Sequence, residues 1–322
     1  MGLGSYILKR ATMIIPVFIG ITVLIFLLLK LTPGDPVNLL LPPTARTEEQ
    51  VAATEARYGL NEPVHMQYLL WLSQALQGDL GLSFTTGRPV SSMITSRIWP
   101  TAQLGLLAML ISLVIAIPAG VVSAVFKDSW IDQSSRIFAF IGISIPSFWL
   151  GIMIILVFSL FWQGWFGNTL IPPGGYASPS DGIFEWLRHA LPPAITLGVG
   201  AAAINTRLTR SAMLEVLNED YIDTARSKGV KENTIVLIHA LRNALIPIVT
   251  VLGMQIGFLM NGAVVVEQVF QWPGIGRLLY EAVLNRDMPL LQGLMLFIAA
   301  VFVTANLLVD ILYAYLDPRI KY

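Results

Sequence analysis

The sequence predicts an all-α integral membrane protein with six transmembrane helices. Two observations carry this. Only 12% of the 322 residues are charged and 55% are apolar, whereas a soluble domain carries about 25% charged residues. Six segments are also long and nearly uncharged: residues 11–29, 101–126, 137–162, 190–206, 244–266 and 290–309. A helix needs about 20 apolar residues to span a bilayer. Five segments meet that length. The fourth is short and must borrow its ends, with Arg207 and Arg210 snorkelling to the interface.

The composition narrows the chemistry further. Formal net charge is zero, so there is no basic field for nucleic acid, and cysteine is absent, which excludes disulfides, thiolate metal sites and a cysteine nucleophile. The first segment has the Lys9 and Arg10 of a signal peptide, but its apolar run is too long for one. Leu31-Thr32-Pro33-Gly34-Asp35 is also a poor small-residue cleavage site, so it reads as a retained helix.

Orientation follows from Lys and Arg in the loops. Alternate segments, counting both termini, hold 12 of them: Lys9, Arg10, Lys127, Arg136, Arg207, Arg210, Arg226, Lys228, Lys231, Arg242, Arg319 and Lys321. The opposite set holds Arg188, Arg277 and Arg286, besides those of the long first loop and Lys30 at its border. Both termini are therefore expected in the cytoplasm.

The expected organisation is a first transmembrane helix (1–31), an extracytoplasmic insertion (32–100), a five-helix core (101–316) and a cytoplasmic tail (317–322). The insertion opens on the turn-forming LTPGDP. Then TEEQVAATEARYGL reads as a short helix capped by Thr47, with Glu48 and Glu49 in its first turn and Gly59 at its end. PVHMQYLLWLSQAL is a second helix, amphipathic through Met66, Leu69, Leu70, Leu72 and Leu76. GDLGLSFTTGRPV is rich in turns, and IPPGGYASPSDG further on marks an irregular connection. Within the spans, Pro118, Pro146 and Pro247 and the glycines Gly142, Gly151, Gly198, Gly200, Gly253 and Gly257 mark kinks or close helix contacts.

One polar stretch interrupts the apolar chain, from Asp220 to Pro247. Residues 210–228 can be helical, with Leu214, Leu217, Tyr221 and Ile222 near one face. Gly229 breaks that helix, and a second follows with Ile235, Val236, Ile238 and Leu241 apolar. A helix–Gly–helix hairpin at about 210–243, between the fourth and fifth spans, can pass force from a cytoplasmic partner to both. The alternative is an amphipathic helix resting on lipid headgroups.

Within this hairpin DTARSKG resembles the EAA motif of ABC importer permeases. Asp223 stands for the Glu and Thr224 for the first Ala; Ala225 and Gly229 match, while His239, Leu241 and Arg242 replace the Ile, Leu and Pro of the motif's ending. LTPGDP, GDLGLSF, HALRNALIPIVTVLG, VVVEQVFQWPGIGRLL and DPRIK resemble, in order, the dipeptide, oligopeptide and nickel permease family, and in particular the first permease subunit of dipeptide permeases. The resemblance implies a type I ABC importer permease fold in a prokaryotic inner membrane. It implies import of dipeptides or oligopeptides, with nickel chelates, opines and related small solutes as alternatives. The implied partners are a second permease subunit, two cytoplasmic ATPase subunits and an extracytoplasmic solute-binding protein. The hairpin becomes the coupling helix, with Tyr221, Asp223, Thr224, Ala225, Arg226, Lys228 and Gly229 as its contact residues. Ala225 and Gly229 are small where a partner must approach closely, and Arg226, Lys228 and Lys231 offer charge at a rim.

Competing chemistries lack their residues. His65, His189 and His239 are far apart, with no metal-ligand spacing, and Ser144 and Ser147 lack a G-x-S-x-G frame. No G-x-x-x-x-G-K-[ST] loop exists, so no cofactor is expected in this chain, and ATP and Mg must bind partner chains. An ion-coupled transporter would place ionisable residues deep in its spans; here Glu267 and Asp310 lie just beyond the ends of two. Glu267 and Trp272 are candidates for the mouth of the pathway, Glu267 with a loop-anchoring role as its alternative.

Overall fold

The computed structural model describes residues 3–31, 47–58 and 61–316. Within them the chain forms thirteen α-helices. These are α1 (Leu3–Leu31), α2 (Glu48–Tyr58), α3 (Val64–Leu76), α4 (Val90–Val125), α5 (Trp130–Ser144), α6 (Ser147–Ile155) and α7 (Trp162–Phe166). After a connection come α8 (Ile183–Leu217), α9 (Asp220–Ser227), α10 (Glu232–Thr234), α11 (Leu241–Val269), α12 (Ile275–Leu284) and α13 (Met288–Leu316). Wide π turns at Leu156–Phe161 and Ile235–Ala240 bridge α6 to α7 and α10 to α11. No strand forms among the described residues beyond a single bridge between Leu82 and Pro89. The LTPGDP turn after Leu31, the helix end at Gly59 and DPRIK lie outside the described residues.

Four stretches are long and apolar enough to cross a membrane: Val90–Val125, Ser147–Phe166, Glu232–Gly253 and Met288–Val309; Thr12–Leu27 is a shorter apolar stretch of α1. Two expectations change here. The segment 137–162 is not one helix. It stops at Ser144, Ile145 is extended (φ −77°, ψ 122°), and a new helix starts behind Pro146. A residue before proline is pushed out of the helical region. Yet Pro118 and Pro247 stay inside continuous helices. The fourth run, 190–206, belongs to a helix of 35 residues, α8, about 52 Å long at 1.5 Å per residue. It is long enough but not apolar enough to stand among the four stretches. It packs against α5, α6 and α11 and buries Ala190, Ala194, Gly198, Ala202 and Ala203. A helix surrounded by protein can carry small and polar residues that lipid would reject.

The chain divides into two compact units, residues 3–98 with 278–307, and 99–277 with 308–316. In the first, the Thr47 hydroxyl accepts from the Gln50 amide at the start of α2, as its sequence predicts. α3 meets α1 through Tyr68 and Trp71, which pack on Phe26, and Tyr68 bonds Thr22. Met66, Leu69, Leu70 and Leu76 stay exposed, so the apolar stripe read from the sequence is not the one that faces α1. The turn-rich GDLGLSF segment is held by Asp287, whose buried carboxylate accepts from the Ser83 hydroxyl and from the Phe84 and Thr85 amides.

In the second unit, glycines bring helices into contact. A Cβ on Gly198 would sit 2.9 Å from the Ala108 carbonyl oxygen, and one on Gly142 3.0 Å from Ala203. Gly253 is pressed on Val309 in the same way. Gly200 has open space, so the expected close contact does not form there.

Candidate functional site

The polar hairpin is built on an apolar underside. Ile222 is fully buried with Met213, Ile235, Val236 and Ala240, together with Val121 and Ala124 from the end of α4. Burying one such Ile side chain contributes about 2 kcal/mol. α9 ends as its sequence predicts. Gly229 takes a left-handed φ of +75°, its N–H bonds the Arg226 carbonyl, and the Val230 N–H bonds the Ala225 carbonyl. Past the turn, Arg226 reaches Glu232 at 2.8 Å and Asp223 at 3.3 Å, tying the two arms together.

Tyr221, Asp223, Thr224, Arg226, Lys228 and Gly229 are exposed. The Tyr221 hydroxyl accepts from Asn243 Nδ2 at 2.7 Å, and Thr224 bonds back to the Asp220 carbonyl. Ala225 behaves differently. It is half-buried and packs on the chain's own apolar cluster. Its small side chain is therefore accounted for by internal packing, whereas Gly229, with nothing within 4 Å of a would-be Cβ, faces open space.

Beside the hairpin sits an ion pair that the sequence did not single out. Asp132, 1% exposed, receives Arg210 Nε at 2.7 Å and Nη2 at 2.8 Å. The same carboxylate accepts from the Ser123 hydroxyl and from the Asp128 amide, in a turn where Asp128 holds φ +63°. The Arg210 guanidinium, together with these hydrogen bonds, holds the Asp132 carboxyl well below the usual carboxylate range despite its burial. The pair joins residues 78 apart in the chain, which no local pattern reveals.

The other candidates lie where α11 ends: Glu267 in its last turn and Trp272 in the loop to α12. Glu267 and Trp272 are both fully buried. The Thr101 hydroxyl donates to Glu267 Oε1 at 3.0 Å and the Arg277 backbone N–H to Oε2 at 2.9 Å, while Thr101 itself accepts from the Ile275 amide. Trp272 donates its indole N–H to the Pro100 carbonyl and stacks edge-on with Tyr176. Gly274 lies so close that a Cβ there would fall 2.1 Å from Glu267 Oε1. These contacts close the end of α11 and the loop that follows around the Glu267 carboxylate.

Within the helices, Asn205 and Gln255 exchange amide hydrogen bonds of 3.1 and 3.0 Å, and Asn205 also donates to Ser112 Oγ. This joins α4, α8 and α11. Among the described residues no group of three or more His, Cys, Asp or Glu could hold a metal ion.

Long apolar helices with a polar hairpin between two of them are features of a membrane subunit. The chain belongs to the family of binding-protein-dependent transport system inner membrane components: that family's model matches residues 116–322, and its N-terminal companion matches residues 3–105. It is thus an inner-membrane, multi-pass transporter subunit of the ABC importer class. Among relatives, it is 43% identical to the oligopeptide transport system permease protein AppB of Bacillus subtilis, over 99% of this chain and all of that one. It is 41% identical to the glutathione transport system permease protein GsiC of Escherichia coli, over 99% of both. The fold also resembles the inward-facing methionine ABC transporter MetNI, with a TM-score of 0.55, 20% identity, and 70% of this chain and 96% of that one covered.

Proposed function

We propose that the chain forms half of the translocation pathway of an ATP-driven importer for dipeptides or oligopeptides, and that the hairpin at 210–243 is where separate ATPase subunits drive it. The observation that carries the solute class is the full-length likeness to permeases named for oligopeptides and glutathione. For the hairpin, the support is its division of labour. Ile222, Ile235, Val236 and Ala240 are spent on its own chain, while Leu237 and Ile238 of the apolar set stay exposed. Its outer side offers Tyr221, Asp223, Thr224, Arg226 and Lys228 to a partner.

The reading includes six spans with both termini in the cytoplasm, residues 32–100 outside and 317–322 inside, in keeping with the Lys and Arg distribution. Spans one and four would be the apolar stretch of α1 and the protein-packed α8. ATP and Mg bind the partner ATPases, since the sequence has no phosphate-binding loop. A second permease and an extracytoplasmic binding protein complete the complex.

The test is co-purification and uptake. The chain is expressed with its partner permease, ATPases and binding protein, and uptake of labelled dipeptides and longer peptides is measured against a nickel chelate. ATP-dependent peptide uptake is expected, with none by the chain alone. Uptake of the nickel chelate only would overturn the solute class. Because Ala225 packs internally, Lys228→Glu is the cleaner probe of docking: it is expected to reduce ATPase pull-down, and unchanged pull-down and uptake would overturn the hairpin's role.

A further inference from the structure

The hairpin is fastened to more of the chain than the two helices that flank it. Its apolar cluster takes Val121 and Ala124 from α4 as well as Ala212 and Met213 from α8 and Ala244 from α11. Just above, Gly120 of α4 lies against Thr209 of α8, where a Cβ would approach Thr209 Cβ to 2.5 Å. Apolar packing of this kind resists separation but allows twist and slip, because it is non-directional.

The Asp132–Arg210 pair supplies direction. Arg210 sits on α8, where the hairpin begins, and grips both carboxylate oxygens of Asp132 at the start of α5. The carboxylate's other bonds go to Ser123 on α4 and to the Asp128 amide in the intervening turn. The Ser129 hydroxyl caps the same helix start by accepting from the Asp132 amide. A bidentate guanidinium–carboxylate pair fixes orientation as well as distance. Nothing in the folding of α5 alone calls for an arginine here, since Ser129 already caps it.

We propose that Asp132 and Arg210 are positioning residues of the coupling machinery. They lock the 126–130 turn, and with it α4 and α5, to the base of α8, so that the hairpin, the turn and these helices move as one block. Force on the hairpin then reaches the α4–α5 pair directly, and not only the two helices that lead into and out of it. This rests on the reading of the hairpin as the ATPase contact.

The experiment uses the whole transporter in liposomes, with spin labels on Lys127→Cys and Asn233→Cys, two exposed positions outside the residues assigned to the ATPase contact; the native chain has no cysteine to interfere. With the pair intact, a single narrow distance is expected that does not change with ATP. Asp132→Asn is expected to broaden it, to leave ATPase pull-down intact and to lower peptide taken up per ATP hydrolysed about tenfold, within the range usual for coupling between sites. Arg210→Lys, which keeps the charge and loses the fork, should fall between. A narrow distance with unchanged uptake per ATP in Asp132→Asn would overturn the proposal. So would loss of ATPase pull-down, since the pair would then support docking and not transmission. If Asp132→Asn does not fold, Ser123→Ala removes one bond of the same carboxylate, and the same two outcomes decide. Absence of peptide uptake by the unmodified transporter would count against the solute class alone, and the distance measurement still decides this inference.

Discussion

The hairpin at 210–243 and the loop at 264–277 look alike as sequence. Both lie beside an apolar span, and each combines glycine, arginine and acidic side chains. Folded, they are opposites. The hairpin turns Ile222, Ile235 and Val236 in and leaves Asp223, Thr224, Arg226 and Lys228 at the surface. The loop turns its carboxylate and its tryptophan in, and Thr101 and the Arg277 amide meet Glu267 there. On the first, Arg226 pairs with Asp223 and Glu232 at the surface, where a partner can still reach the charges; on the second, the carboxylate is buried among the bonds that hold the loop. A polar motif in a membrane protein therefore has to be judged by where its lone pairs and protons go.

The difference can be broken by substitution, most severely in the loop. Glu267→Ala would strand the Thr101 hydroxyl and the Arg277 N–H in a buried site, and should cost about 3 kcal/mol of stability. Thermal unfolding in detergent measures it. A variant as stable as the native chain but dead in uptake would make the loop a solute contact after all.

Asp132→Asn comes next, at about 2 kcal/mol near neutral pH, for loss of a charge-assisted pair. Its pH dependence is distinctive. The folded carboxyl is held below its unfolded value, so the stabilisation is complete above that value and is lost as pH falls through the folded one. The gap between native and variant should be flat from about pH 5 to 8 and shrink below about pH 4. A gap that grows on acidification would refute the assignment of charge.

Gly229→Ala should cost about 1 kcal/mol, purely from the left-handed backbone, because open space surrounds the site. Chemical denaturation reads this, and a larger loss would mean that the hairpin's outer side is not open. Smallest in stability is Lys228→Glu, within about 0.5 kcal/mol as an exposed change. It sharpens the comparison, since a small stability effect with a large loss of ATPase pull-down is the mirror image of what Glu267→Ala should give.

What the sequence disclosed and what it withheld follow from range. The break at Gly229, the cap at Thr47 and the burial of Ile222 and Ile235 are local, set by backbone preference and helical period, and they are found where the pattern puts them. The proline signals did not separate by themselves. Pro118 and Pro247 stay inside continuous helices, while Ile145-Pro146 breaks one. The side of α3 that meets α1 depended on where Phe26 lies, and so could not be read from α3. The Asp132–Arg210 pair joins distant residues, and the role of Ala225 depends on what lies beneath it. Both exist only once the chain is folded.

The reciprocal amides of Asn205 and Gln255 restrict how α8 and α11 can travel. Displacing one helix along the other by a turn, about 5.4 Å, would pull four polar atoms apart, with Asn205 fully and Gln255 partly buried, at about 1–3 kcal/mol for each group left without a partner. Rotation about the pair costs far less, because the two side chains can stay joined while the helix ends swing. The amide pair acts as a fulcrum: it rules out sliding as an inexpensive stroke for these two helices and leaves rocking, with the small residues of α8 as the bearing surface.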